Sequence, residues 1–196
     1  MTRAERLALA RLPATPWKNG GGTTREIAVF PTDAGLGDFD WRLSVAEVER
    51  HGPFSAFPGI DRTIVLLRGA GMELRDPERG TGCVLTYPGD VWAFAGERAI
   101  DARLVDGPTR DFNVMARRGS WSATVDTLRE RADVAPADAL LLLAGAGTWQ
   151  VDGHAPLAAG EMLLWRARID GVSAAPAAAD GSPWLLAVRL CQHRSR

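Results

Sequence analysis

The stretch IVLLRGAGMEL at Ile64–Leu74 has a counterpart later in the chain, LLLLAGAGTWQ at Leu140–Gln150. Each stretch is an apolar run, then Gly-Ala-Gly, then a segment in which polar and apolar residues alternate. Further along, YPGDVWAF at Tyr87–Phe94 corresponds to AAGEMLLW at Ala158–Trp165, and both contain a glycine followed by an acidic residue. The repeated order predicts a duplicated β-unit; the alternative is two unrelated hairpins with the same turn chemistry.

Outside the repeat, short segments rich in β-branched and aromatic residues are bounded by glycine and proline. One segment, Ser122–Arg131, has helical periodicity and is the best helix candidate. The sequence therefore predicts an all-β protein with little helix, in which two jelly-roll β-barrels are packed in one chain (a bicupin). We expect an N-terminal barrel over residues 1–120, which carries the ligand pocket, and a structural half over residues 121–196, with strands exchanged between them. The predicted strands are Thr24–Phe30, Trp41–Val48, Thr63–Leu67, Val91–Phe94, Phe112–Met115, Leu140–Ala144, Thr148–Val151, Met162–Trp165 and Trp184–Leu190.

Composition excludes several classes of protein. The chain of 196 residues is 46% hydrophobic and 24% charged, which is typical of a globular protein and not of a disordered one. Its 23 basic and 24 acidic residues nearly cancel, so we expect no nucleic-acid partner. The longest apolar run, Ala139–Gly147, is half of what a membrane span needs, so we expect no membrane partner. The two cysteines form no CxxC motif, and arginines interrupt the N-terminal apolar residues, so the expected location is the cytoplasm.

The segment WKNGGGTTRE at Trp17–Glu26 is the most unusual part of the sequence. It contains the single lysine of the chain, Lys18, and one of its two asparagines, Asn19. Three consecutive glycines allow either a close approach of the backbone to a ligand or a tight bend. We therefore regard Lys18 and Asn19 as candidate ligand-binding residues; the alternative is a flexible loop that precedes a strand.

Two further segments place polar side chains where a cavity is expected. In Trp41–Val48 the residues Trp41, Leu43 and Val45 form one face, whereas Arg42 and Ser44 lie on the other, which is either a cavity wall or a solvated exterior. Arg62 begins a strand after an aromatic loop that contains Phe54 and Phe57. An arginine there can hold a carboxylate, or it can form a surface ion pair with Asp61.

The segment Arg110–Met115 places Asp111 and Asn113 on one strand face. Buried polar groups cost free energy unless they are paired, so these two side chains either line a wet cavity or satisfy their neighbours. For Asp111, the alternative is a salt bridge with one of the arginines.

Residues for metal or nucleophilic catalysis are scarce. The three histidines, His51, His154 and His193, are isolated and have no metal-ligand spacing, so we expect no metal and no other cofactor. The same scarcity argues against catalysis by a Ser-His-Asp or Cys-His arrangement, and we assign no catalytic residue.

Four motifs in this order and spacing, WKNGGGTTRE, WRLSVA, GPFSAFPGIDR and DFNVM, resemble the HutD/Ves family. The resemblance runs from about Leu7 to the C-terminus. It implies an RmlC-like bicupin without metal-binding histidines, which forms a homodimer and binds a small anionic metabolite. The family pocket corresponds here to Lys18, Asn19, Arg25, Trp41, Arg42, Ser44, Arg62 and Asn113; Phe54 is our addition as an aromatic cover.

Members of this family encoded with histidine-utilisation genes are thought to bind a pathway intermediate, such as N-formylglutamate or urocanate, and to limit flux. We therefore expect a regulatory protein that binds a carboxylate and is not an enzyme. The alternative is a metal-free cupin enzyme, an isomerase or hydrolase, with Asp111 or Glu26 as general base and Lys18 as an acid or electrophile. A third hypothesis is a structural dimer with a closed polar core.

Overall fold

The computed structural model describes residues 3–178 and 181–193, which form β-strands joined by turns. The helical structure in these ranges is one 3₁₀ turn, Leu9–Arg11, and no described helix has the length and apolar character needed to cross a membrane. The strands are β1 Glu5–Ala8, β2 Thr15–Pro16, β3 Gly22–Phe30, β4 Trp41–Val48, β5 Gly52–Pro53, β6 Ile60–Arg68, β7 Met72–Asp76, β8 Thr81–Leu85, β9 Val91–Ala95, β10 Asp101–Leu104, β11 Thr109–Arg117, β12 Trp121–Leu128, β13 Ala132–Val134, β14 Ala139–Ala146, β15 Trp149–Val151, β16 Glu161–Trp165, β17 Val172–Pro176 and β18 Trp184–Gln192.

The chain divides into two compact units, residues 12–121 and residues 1–11 with 122–196. Strand β1 belongs to the second unit because it pairs antiparallel with β16. The predicted division into residues 1–120 and 121–196 placed these first residues in the other half. No periodicity argument could assign them, because β1 is only four residues long.

The unit of residues 12–121 contains a six-stranded sheet with the order β2-β3-β4-β11-β6-β9 and a four-stranded sheet with the order β5-β10-β7-β8. Apolar side chains of both sheets form a common buried cluster that includes Ile64, Leu66, Met72 and Leu74. The long central strands of the larger sheet are fixed in register by cross-strand pairs such as Asn113 with Ile64.

The second unit contains a five-stranded sheet with the order β1-β16-β14-β18-β12 and a three-stranded sheet with the order β13-β17-β15. Its buried cluster is built from aliphatic and tryptophan side chains, among them Leu140, Leu142, Trp149 and Trp165.

The strand orders confirm the internal repeat. The run β4-β11-β6-β9 in the first unit corresponds to β12-β18-β14-β16 in the second, and β5-β10-β7 corresponds to β13-β17-β15. Glycines with positive φ follow β6 and β14 and precede β9 and β16, as the repeated Gly-Ala-Gly and Gly-acid motifs indicated. Within the described ranges no sheet closes on itself, so the two closed barrels stay a prediction.

The predicted helix at Ser122–Arg131 is wrong. Most of this segment is strand β12, which lies beside β18. Its Thr124, Val125 and Thr127 are β-branched and favour a strand, and exposure alternates along it. Pairing with a neighbouring strand decided its structure.

Candidate functional site

Strand β11 lies in the middle of the site because it pairs with β4 on one side and β6 on the other. Asn113 lies opposite Ser44, and Met115 lies opposite both Arg42 and Arg62. Residues paired across a sheet share a face, so these five side chains lie on the same face of the six-stranded sheet.

Arg62 and Asn113 are joined by two hydrogen bonds. Both Nε and Nη2 of Arg62 donate to Oδ1 of Asn113, at 2.9 and 2.6 Å. The third guanidinium nitrogen, Nη1, makes a long contact of 3.4 Å with the carbonyl oxygen of Ser55. Arg62 is only 7% exposed and Asn113 only 4%, so the pair is almost completely removed from bulk solvent.

Three phenylalanine rings surround the guanidinium of Arg62. Its Cζ lies 4.8 Å from the ring centre of Phe54, 5.6 Å from that of Phe94 and 5.9 Å from that of Phe57. Burial lowers the pKa of Arg62 to about 10, so the group is still charged at neutral pH. The site therefore contains a buried cation in an aromatic setting.

No carboxylate within the described part of the chain forms an ion pair with Arg62. The expected alternative partner, Asp61, is bonded instead to Arg118, at 2.8 Å, and this rules out the surface pair considered from the sequence. Burying a charge is costly, and the hydrogen bonds of Arg62 go to neutral oxygen atoms. The negative charge of Asp111 favours the protonated form of Arg62, but no hydrogen bond joins the two side chains among the residues described. This is the arrangement expected of a group that receives an anion.

Arg42 and Glu26 form the second polar contact on this face. Nε of Arg42 donates to Oε2 of Glu26 at 2.7 Å, and the Arg42 side chain is 13% exposed against 47% for Glu26. The sequence placed Arg42 and Ser44 beside a cavity or on a solvated exterior. The structure buries Ser44 to 3% exposure and partly buries Arg42.

Asp111 is completely buried on the same face of β11, two residues before Asn113. Its Oδ2 accepts a hydrogen bond of 3.2 Å from Oγ1 of Thr109, and its Oδ1 has no partner among the residues that the structure describes. Burial raises the pKa of Asp111 to about 7, although Thr109 and the charge of Arg62 act in the opposite direction. The salt bridge considered from the sequence is absent from the residues described.

Lys18 and Asn19 lie in the turn between β2 and β3, and both are exposed. Oδ1 of Asn19 accepts from the backbone N–H of Gly21 at 3.0 Å, and the N–H of Gly20 donates to the carbonyl oxygen of Trp17 at 3.0 Å. Asn19 therefore stabilises the turn through its side chain. The structure does not place either residue on the sheet face that carries Arg62.

Arg25 and Trp41 lie on the opposite face of the six-stranded sheet. Arg25 is paired with Val45, and its Nη1 donates to the carbonyl oxygen of Leu12 at 2.6 Å. Trp41 is 1% exposed and stacks on Phe30, with 5.8 Å between ring centres. The family correspondence placed both residues in the pocket, whereas strand alternation places them away from it.

Of the nine predicted ligand-binding residues, the structure brings five together: Arg42, Ser44, Phe54, Arg62 and Asn113. Sequence reasoning missed Phe94 and the carbonyl group of Ser55 as neighbours of Arg62, and Thr109 as the neighbour of Asp111. Phe94 follows from the register of β9, in which it lies opposite Arg62. The Ser55 contact involves the backbone of an irregular loop and leaves no signal in the sequence.

The described side chains contain no group of three or more His, Cys, Asp or Glu residues arranged to hold a metal ion. The residues present therefore do not fit the metal centre found in many proteins of this fold. We expect elemental analysis of the purified protein to find no stoichiometric transition metal. Near-unit occupancy of iron, zinc, nickel or manganese that survives mild chelation would contradict this expectation.

Comparison with known proteins gives consistent matches. A family model described as HutD matches residues 9–183. An uncharacterized 21.2 kDa protein in the hutC 3′ region of Pseudomonas putida is 41% identical over 115 residues, which is 59% of this chain and 59% of that relative. The chain is therefore aligned with about three-fifths of that protein's length.

Solved structures extend the match to the whole fold. HutD from Pseudomonas fluorescens SBW25, in a formate condition, is similar with a TM-score of 0.83 and 29% identity, over 98% of this chain and 100% of that one. A cupin 2 conserved barrel domain protein from Leptotrichia buccalis is similar with a TM-score of 0.57 and 10% identity, over 96% of each chain. The second likeness shows a cupin-like fold alone.

Proposed function

Because the chain belongs to the HutD family, we propose that it binds a small anionic carboxylate at Arg62 in the unit of residues 12–121. The observation that carries this proposal is a buried guanidinium held by a neutral amide, without a carboxylate partner among the residues described. The ligand carboxylate would accept hydrogen bonds from Nη1 and Nη2 of Arg62. Each unit would then correspond to one cupin barrel, with the ligand in the first.

The loop that covers Arg62 supports a closed site. Phe54 and Phe57 lie over the guanidinium, and Nη1 of Arg62 makes its contact with the carbonyl oxygen of Ser55, at 3.4 Å. A carboxylate oxygen is a stronger acceptor for a guanidinium than a carbonyl oxygen. The ligand would therefore displace Ser55 from Nη1, and its apolar part would contact the two rings.

The second unit provides an internal comparison. Asp111 lies opposite Leu66, and Ala187 lies opposite Leu142, the residue that corresponds to Leu66 in the repeat. The same strand arrangement thus forms with an alanine where the first unit has a buried carboxyl group. The fold therefore does not require a polar residue at the position of Asp111, which supports a role for Asp111 in binding.

We propose N-formylglutamate or urocanate as ligand and the regulation of histidine catabolism as role. The Pseudomonas putida relative in the hutC 3′ region supports this assignment. The homodimer and the cytoplasmic location stay predictions.

A thermal melting screen tests the proposed function. We expect N-formyl-L-glutamate or urocanate, at about 100 times its dissociation constant, to add about 2.7 kcal/mol to the free energy of unfolding. For a chain of this size that corresponds to a rise in Tm of about 5–10 °C. Histidine and glutamine, which carry no net negative charge, are the controls. An unchanged Tm with both acids up to millimolar concentrations contradicts the proposal.

One observation favours a second candidate function, a metal-free isomerase or hydrolase. Asp111 lies near Arg62 and has a pKa of about 7, which is the range expected of a general base at neutral pH. Nuclear magnetic resonance of either acid during incubation with the protein distinguishes the two functions. New resonances that are lost in Asp111→Asn support the enzyme, and unchanged spectra with saturable binding support the binding protein.

A further inference from the structure

We propose that Asp111 is a specificity-determining residue that accepts a hydrogen bond from a donor N–H or O–H group of the ligand. This inference rests on the proposed function, because it assumes that a carboxylate binds at Arg62. It narrows the ligand to molecules that combine a carboxylate with a hydrogen-bond donor a short distance away.

The unpartnered oxygen of Asp111 is the observation that requires an explanation. The residue is 0% exposed, and Oδ1 has no hydrogen-bond partner within residues 3–178 and 181–193. The other oxygen, Oδ2, receives one hydrogen bond from Thr109. Native proteins satisfy the great majority of buried polar atoms, so an orphaned acceptor in a candidate binding site indicates a missing donor.

The position of Asp111 relative to Arg62 sets the spacing of the two ligand groups. Arg62 contacts Asn113, and Asp111 lies two residues before Asn113 on the same face of β11. Two residues of strand span about 6.6 Å. The ligand is therefore a small molecule whose carboxylate and donor are separated by a few bonds, as in an N-acyl amino acid or a heteroaromatic acid.

The charges around Asp111 favour a neutral donor. Arg62 and Arg42 lie on the same face of the sheet, and Arg42 is already paired with Glu26. Glu47, the nearest carboxylate on the adjoining strand, is paired with Arg110. A cationic ligand group at this place would be repelled by Arg62, and a second carboxylate would be repelled by Asp111. A neutral donor, such as an amide or ring N–H group, therefore fits best.

The effect of Asp111 on the stability of the ligand-free protein distinguishes a binding role from a structural one. A buried carboxyl group with one unpartnered oxygen destabilises the fold, and the corresponding position in the second unit is Ala187. Asp111→Ala is therefore expected to raise the Tm of the ligand-free protein at pH 8 while it weakens binding. A residue that only supports the fold would lower the Tm instead.

The test compares two ligands by isothermal titration calorimetry. The first is N-formyl-L-glutamate, and the second is the formyl ester of 2-hydroxyglutarate, in which an oxygen atom replaces the N–H group. We expect Asp111→Ala to weaken the amide at least tenfold and to leave the affinity for the ester unchanged. Asp111→Asn keeps an acceptor oxygen and is expected to retain most of the affinity. Asp61→Ala removes an exposed carboxylate of the same unit and is the control.

Each outcome separates the two proposals. If the wild-type protein binds both ligands and Asp111→Ala weakens both equally or neither, the inference about Asp111 is wrong and the carboxylate site remains. If Arg62→Met weakens the binding of both ligands at least tenfold and Asp111→Ala weakens the binding of the amide alone, both proposals are supported. If the wild-type protein binds neither ligand at millimolar concentrations, the proposed function fails and the inference fails with it.

Discussion

Replacing Arg62 with alanine is expected to weaken binding of an anionic ligand by about 1.5–3 kcal/mol, or roughly 10- to 150-fold. The guanidinium is the buried cation of the site and has a contact at Nη1 that a carboxylate can replace. The dissociation constants of wild type and variant for N-formyl-L-glutamate or urocanate, measured by calorimetry, check this expectation. The salt dependence of binding should be weak, because buried charges are screened less than exposed ones.

The variant also needs a folding control. Arg62 packs among three phenylalanine rings, so alanine leaves a cavity as well as removing the charge. Arg62→Met retains most of the volume and the apolar contacts and should give the same loss of affinity with a smaller loss of stability. Arg68 is an exposed arginine of the same strand, and Arg68→Ala should change neither the affinity for the ligand nor the stability of the protein. Full affinity in Arg62→Met would show that the carboxylate site is wrongly placed.

Replacing Gly22 with alanine is expected to destabilise the fold by about 3 kcal/mol. A Cβ at this position would lie 2.1 Å from the backbone carbonyl oxygen of Glu47 on the neighbouring strand. A carbonyl group in a strand cannot move aside like the end of a flexible side chain, so the two strands must separate locally. Thermal or denaturant unfolding should show a fall in Tm of about 6–12 °C.

The two neighbouring glycines provide matched controls. Gly21→Ala would meet the side-chain oxygen of Asn19 at 3.2 Å, which can shift, and should be nearly neutral. Gly20 has a φ of 65° and open space around it, so Gly20→Ala should cost about 1 kcal/mol in backbone strain alone. Equal losses at all three positions would contradict the close approach of the strands as the reason for Gly22.

The strands were predictable wherever burial of one face produced alternation. Trp41–Val48 was predicted with the bounds that β4 has in the structure, because apolar and polar residues alternate along its start. The duplicated unit was predictable because both copies need the same glycine turns. Strand β12 was not predictable as a strand, because its central part exposes alternate residues and has no strongly apolar face.

The candidate site was predictable only in part. Arg42, Ser44 and Asn113 follow from alternation, and Arg62 follows from its place at the start of a strand. The rarity of lysine and asparagine in this chain indicates Lys18 and Asn19, but in the structure the Asn19 side chain stabilises a turn. The orphaned oxygen of Asp111 depends on the register of three strands, which no single segment of sequence encodes.

The pairing of β1 with β16 affects the order in which the protein can fold during synthesis. Residues 5–8 leave the ribosome before residues 12–121, but their partner strand, residues 161–165, is made after that segment. The segment of residues 12–121 is continuous, so all the strands of its two sheets are available before most of the second unit exists. During translation β1 therefore has no partner strand until residues 161–165 have left the ribosome. In a nascent-chain experiment, residues 12–121 should become protected from protease before β1 does.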